Sequence, residues 1–153
     1  MQRNTIFISH ASPQDNYYAA WIASKLKILG YKVWIDLNDI SAGDSFNTVI
    51  KPIIKEQSQV FIPLTTLTYT KKSNDQNTGV SRELNCAITV DRSELGHNFI
   101  LPIRFDNIEF NDFPYHYSGW DCIDFNNNWQ QGLIDLTNEL EKINIKKEPL
   151  RII

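Results

Sequence analysis

Two short stretches of this 153-residue chain carry side chains able to bind a ligand or handle charge. One is Ser9-His10-Ala11-Ser12; the other is the polar segment from Thr65 to Glu83, which ends in Gly79-Val-Ser-Arg-Glu83. Hydroxyls and an imidazole offer hydrogen bonds, and a carboxylate offers fixed negative charge. Spacing removes other chemistries. The glycines, at 30, 43, 79, 96, 119 and 132, never approach GxGxxG, so a Rossmann dinucleotide loop is excluded. Neither the phosphate-cradling GxxxxGK[ST] nor a GxSxG nucleophile turn occurs. Cys86 and Cys122 stand apart, without CxxC or Cys/His ligand spacing. No metal site and no secreted disulfide scaffold is therefore expected.

The elements that must position these residues alternate between strand and helix patterns. Thr5-Ile-Phe-Ile-Ser9 is an apolar, β-branched run suited to a strand buried on both faces. Ser12-Pro13 starts a helix with Asp15 near its positive end, and Gly30 closes it. Tyr31 to Ile35 is a second strand, Asp36 to Ser45 a polar loop, and Phe46 to Ile54 a helix kinked or restarted around Pro52. A third strand covers Gln59 to Leu64 with Pro63 near its end. Thr65 to Thr78 is expected to be a long, exposed, mobile connection. Gly79 to Arg92 is a helix, Phe99 to Phe105 a fourth strand, Asp121 to Phe125 a short fifth, and Trp129 to Ile143 a last helix. The domain is thus expected over residues 1–143, with 144–153 a tail or linker.

Strands alternating with helices specify an α/β fold, here a flavodoxin-like five-stranded parallel sheet in the order 2-1-3-4-5 with helices on both faces. Ligands bind such sheets beyond the carboxyl ends of the strands, where the winding reverses. That crevice lies between the loops after strands one and three, so Ser9 to Ser12 face the segment ending in Glu83. A phosphoacceptor domain would place an acidic pair after strand one and an Asp at the end of strand three. Ser9-His10 and Leu64-Thr65 stand there instead.

Composition is that of an ordinary soluble domain, 42% hydrophobic and 22% charged, which argues against wholesale disorder. A net charge of -3 with scattered lysines argues against a nucleic-acid partner. No long apolar run marks a signal peptide or a membrane span, so a cytoplasmic protein without a membrane partner is expected.

FISHASPQD at 7–15, GYKVWIDLNDISAGDSF at 30–46, VFIPL at 60–64, SRELNCA at 81–87 and FILPI at 99–103 follow one another at separations that resemble a TIR domain, nearest to its bacterial members. Many TIR domains cleave NAD+ between nicotinamide and ribose, releasing ADP-ribose or a cyclised isomer. The resemblance implies that Glu83 is the catalytic glutamate. It implies that Ser9, His10 and Ala11 after strand one, Trp34 and Asp36 at the end of strand two, and Ser45 and Phe46 line the substrate pocket. NAD+ enters as substrate, and no cofactor is implied. The family often has Trp four residues before its glutamate; this chain has Gly79.

Nicotinamide leaves a cationic ring as a neutral molecule, so no general acid has to protonate it, unlike an ordinary glycoside. One carboxylate can stabilise the oxocarbenium-like ribose electrostatically where water is excluded. Glu83 is expected in the first turn of its helix, ionised, unpaired and facing a cleft. Each residue also has a structural reading: His10 as a loop cap, Trp34 as sheet core, Asp36 as the closure of a turn. The resemblance further implies homotypic association, with the loop after strand two of one copy completing the site of the next, in bacterial anti-phage immunity. A sensor or effector partner would fit the same scheme. The alternatives are a noncatalytic TIR–TIR scaffold and a nucleoside deoxyribosyltransferase-like enzyme.

Overall fold

The computed structural model describes residues 3–38, 40–91 and 98–148. Five parallel strands form one sheet in the order β2-β1-β3-β4-β5. They are β1 (Thr5–Ser9), β2 (Lys32–Ile35), β3 (Ser58–Thr65), β4 (Ile103–Arg104) and β5 (Ile123–Asp124). The helices are α1 (Asn16–Ile28), α2 (Leu67–Ser73), α3 (Gly79–Asp91) and α4 (Trp129–Ile143). The winding reverses between β1 and β3, as the alternating pattern requires.

Strand alternation sorts the core into two layers. Ile6 and Ile8 of β1 and Val60, Ile62 and Leu64 of β3 pack beneath α1 and α4, against Ile22, Leu26, Leu136 and Leu140. Phe7 and Phe61 point the other way and stack at 5.4 Å among Ile50, Tyr69, Val80, Leu84 and Ala87. Ser9, two residues beyond Phe7, shares that second face. This parity aims its hydroxyl at α3 rather than α1.

Helix α1 ends where Gly30 takes φ +99°, a conformation in which glycine has no side-chain clash. Between β2 and β3 the chain makes a 3-10 turn at Ile40–Ala42 and two π-helical turns, Phe46–Ile50 and Ile53–Gln57, on either side of Lys51-Pro52. Lys51 and Pro52 keep right-handed helical dihedrals, so the chain stays helical through Pro52 and the expected restart is not seen; the missing N–H falls between two wider π-helical stretches.

Three other expectations need correction. The connection after β3 is not an exposed loop: α2 runs through it, Tyr69 and Thr65 are fully buried, and the Thr66 side chain caps the helix by accepting from Tyr69 N at 3.1 Å. The fourth strand is shorter than Phe99 to Phe105. Phe61 N reaches Phe99 O at 2.9 Å and Leu101 N reaches Phe61 O at 2.8 Å, but Pro102 has no N–H, and regular pairing resumes only at Ile103. The first residues of the expected tail return to the sheet edge. Ile145 is buried, Tyr31 bridges Lys147, and Glu148 N donates to Gly30 O at 2.7 Å. Arg92, at the expected end of α3, and residues 149–153 lie outside the described residues.

Candidate active site

At the carboxyl ends of β1 and β3 lies a cavity of about 150 Å³, walled by residues including His10, Ser12, Asp36, Ser41, Lys72, Gly79 and Glu83. Glu83 reaches it from α3. Val80, Glu83, Leu84 and Ala87 recur at helical spacing, so the carboxylate shares the face that packs on the sheet. Its residue is the fifth of α3, at the start of the second turn, one turn later than expected. Support from the helix dipole is weaker there, because that effect fades beyond the first turn.

The carboxylate is not unpaired. Ser9 Oγ donates to Oε1 at 2.6 Å, and Ser41 Oγ donates to Oε2. Ser9 Oγ also lies 2.8 Å from the Tyr69 hydroxyl. With its one proton directed at Glu83, Ser9 must accept from Tyr69, so the three groups form a directed chain, Tyr69 to Ser9 to Glu83. Burial pushes the Tyr69 phenol well above its usual range, which keeps it a donor. Ser9, Tyr69 and Glu83 are each at most 4% exposed, so no bulk water competes for these bonds.

Ser41 is delivered by the 3-10 turn after β2. Asp36 accepts from Ile40 N at 2.9 Å and from Ser41 N at 2.7 Å, fixing the turn. Arg82, one residue before Glu83, donates to Gly43 O at 3.2 Å from the other side. Gly79 makes the approach sterically allowed, since a Cβ there would fall 2.7 Å from Ser41 Cβ and 3.0 Å from Ala42 N. A tryptophan at position 79 is incompatible with this loop placement.

Of the residues expected in the pocket, Ser9, His10, Asp36 and Glu83 meet here. His10 Nε2 is 2.7 Å from Asn16 Oδ1, and its buried ring borders the cavity. Ala11 is buried in the second core layer, beside the site and outside the cavity wall. Trp34, opposite Phe7, is half-buried against the same layer, and its indole N–H has no partner among the described residues. Ser45 is exposed, and Phe46 lines a separate hollow of about 470 Å³ with Gly43, Asp44, Asn47, Arg82 and Asn85. Ala11, Trp34, Ser45 and Phe46 are therefore not assembled around Glu83 in this conformation. Sequence reasoning missed Ser41, Tyr69 and Lys72. Thr66 three residues before Tyr69 was the available signal for the helix carrying the last two.

Residues 6–137 match the TIR domain family. A protein of Sinorhizobium fredii (strain NBRC 101917 / NGR234), named Uncharacterized protein y4cD, is 23% identical over 151 residues. That similarity covers 96% of this chain and 22% of the relative, so the chain spans under a quarter of that protein's length. Among the described residues no helix is long and apolar enough to cross a membrane. With the sheet order, the crevice and the family match in agreement, this chain belongs to the TIR domain family.

Proposed function

We propose that this domain is an NAD+ glycohydrolase or ADP-ribosyl cyclase of a bacterial anti-phage system, activated by self-assembly. The observation that carries this reading is Glu83, a buried carboxylate held by Ser9 at a cavity at the switch point of the sheet. As the bond from C1′ to the nicotinamide nitrogen lengthens, its electron pair goes to the pyridinium, which departs neutral. The ribose is left with developing positive charge. A fixed carboxylate opposite that charge lowers the barrier electrostatically, and the Tyr69–Ser9 chain keeps it oriented. Water adding to C1′ and losing a proton yields ADP-ribose; attack by the adenine of the same molecule yields a cyclic isomer.

The conformation described is a closed one. Ser41 satisfies the Oε2 side of Glu83, and ligand pockets for larger molecules span about 300–1,000 Å³, well above this cavity. Residues 41–44 stand between the Glu83 cavity and the Phe46 hollow, bordering one or the other. Lifting this segment joins them into a cleft of dinucleotide size and brings Ser45 and Phe46 toward substrate. Contact with a second copy through the same loop supplies the free energy for lifting.

Nicotinamide release from NAD+, followed chromatographically across a wide range of protein concentration, tests this. Turnover that rises more steeply than linearly is expected; strict proportionality removes assembly as the switch. One observation favours a second reading, a noncatalytic scaffold: both Glu83 oxygens are already satisfied, while Ala42 to Ser45 stand exposed as a docking loop. Under that reading self-association persists, and loop substitutions weaken it without any NAD+ turnover.

A further inference from the structure

Lys72, in the last turn of α2, also walls the Glu83 cavity. It is half-buried, and its Nζ donates to Ser12 O at 2.6 Å, which holds the ammonium over the loop after β1. An ammonium has three donors, and this bond uses one. Among the described residues Lys72 makes no ion pair. The nearby Asp15 carboxylate feels the Lys72 charge at a distance, but its hydrogen bond is to Thr66 Oγ1 at 2.6 Å. Lysines are normally found with their charge in water or opposite a carboxylate. Here the charge borders a cavity whose acidic groups, Asp36 and Glu83, come from the loop after β2 and from α3, while Lys72 and His10 come from α2 and the loop after β1.

The wall thus carries both signs. Its carboxylates suit a group that becomes cationic, and Lys72 supplies a localised cation in the same wall, which also includes Ser12 and Asn77. A dinucleotide carries this pattern, with a ribose that becomes cationic joined to a diphosphate that is permanently anionic. We propose that Lys72 is the diphosphate-binding residue of this site and sets its preference for a dinucleotide over a nucleoside. The proposal rests on the reading of Glu83 given above and adds the specificity determinant. Lysine suits the task as a point charge that can serve either phosphate without bidentate geometry.

Two arms test it. In the first, wild type, Lys72→Gln and Lys72→Arg are compared on NAD+ and on nicotinamide riboside, which bears the same leaving group and no phosphate. Lys72→Gln is expected to lower kcat/KM for NAD+ by about tenfold or more, mainly through KM, as loss of one charge-assisted hydrogen bond implies. Activity on nicotinamide riboside should stay within about twofold, and Lys72→Arg should restore most of the NAD+ activity. Equal losses on both substrates would reduce Lys72 to a strut between α2 and the β1 loop; an unchanged KM for NAD+ would also overturn the proposal.

The second arm is independent of turnover. Binding of ADP-ribose and of adenosine is measured by calorimetry on Glu83→Gln protein, with and without Lys72→Gln. ADP-ribose should bind about tenfold more weakly without Lys72, and adenosine equally in both. If the wild type cleaves nothing yet ADP-ribose binding depends on Lys72, the hydrolytic reading fails and the diphosphate site stands. If ADP-ribose does not bind, or binds regardless of Lys72, the proposal is overturned.

Discussion

Replacing Ser41 by alanine removes a single hydroxyl, and the structure sets the size of the effect. Ser41 Oγ donates to Glu83 Oε2, and the two residues are 1% and 4% exposed, so water does not replace the bond while the loop stays closed. Hydrogen bonds to charged groups contribute about 1.5–3 kcal/mol. Asp36 still accepts from Ile40 N and Ser41 N, and Arg82 still holds Gly43 O, so the turn itself survives. The loss falls on the closed state. At about 1.4 kcal/mol per factor of ten, the open fraction should rise about 10- to 150-fold. For a domain of this size the melting temperature should fall by roughly 3–10 °C, less where opening lets water reach Glu83. Hydrogen exchange at the amides of Ile40, Ser41 and Gly43 should accelerate. Nicotinamide release at low protein concentration should increase, because less free energy is needed to lift the loop. Unchanged melting with unchanged loop protection would refute the latch. Diminished turnover in Ser41→Ala would refute it differently, by showing that Ser41 holds substrate rather than excludes it.

Two further substitutions follow from named bonds. Tyr69→Phe deletes the donor to Ser9 at a fully buried position; it should cost about 1–2 kcal/mol in denaturant unfolding, and full retention of stability would dismiss the Tyr69–Ser9–Glu83 chain. Arg104 and Asp124 form a two-bond pair at 2.6 and 3.2 Å across the ends of β4 and β5. Desolvation would raise the Asp124 carboxyl, but bonding to Arg104 outweighs it and holds the group below its usual range. A depressed carboxyl stabilises the fold above the unfolded value of about 4, and that stability is lost as pH falls through the lower folded value. Asp124 is 35% exposed, so Asp124→Asn should cost only about 0.5–1 kcal/mol at pH 7, with the difference shrinking as the pH falls through the lowered folded value. A difference independent of pH in urea titrations would assign the effect to packing.

How much of this was legible in the residues depends on where physical signals are strong. Strand β1, helix α1 with its Gly30 stop, and helix α4 follow from apolar periodicity, and their succession gives the sheet order. Helix α2 was missed because Leu67-Thr-Tyr-Thr-Lys-Lys-Ser73 offers few apolar residues. Burial of one tyrosine against the sheet outweighs its weak propensity. The interruption before β4 was written in Pro102 but cannot be located without knowing the partner's register. Within the site, the Ser9–Glu83 meeting follows from strand parity and helix spacing. Ser41 does not, because an irregular loop carries no period; only the bare backbone of Gly79, seen against the loop it accommodates, explains the approach. Ser45 and Phe46 lie away from Glu83 for the same reason: their distance depends on loop position rather than on a strand or helix.

The most direct test of the central claim is NAD+ turnover by Glu83→Gln, a near-isosteric change that removes charge while leaving an oxygen for Ser9. It should be run at high protein concentration beside wild type, with melting curves showing both proteins folded. The account predicts nicotinamide release by wild type and a loss of about a hundredfold or more in the variant, the scale expected when an electrostatic stabiliser is removed. No release by wild type at any concentration, or equal release by the folded variant, would contradict it.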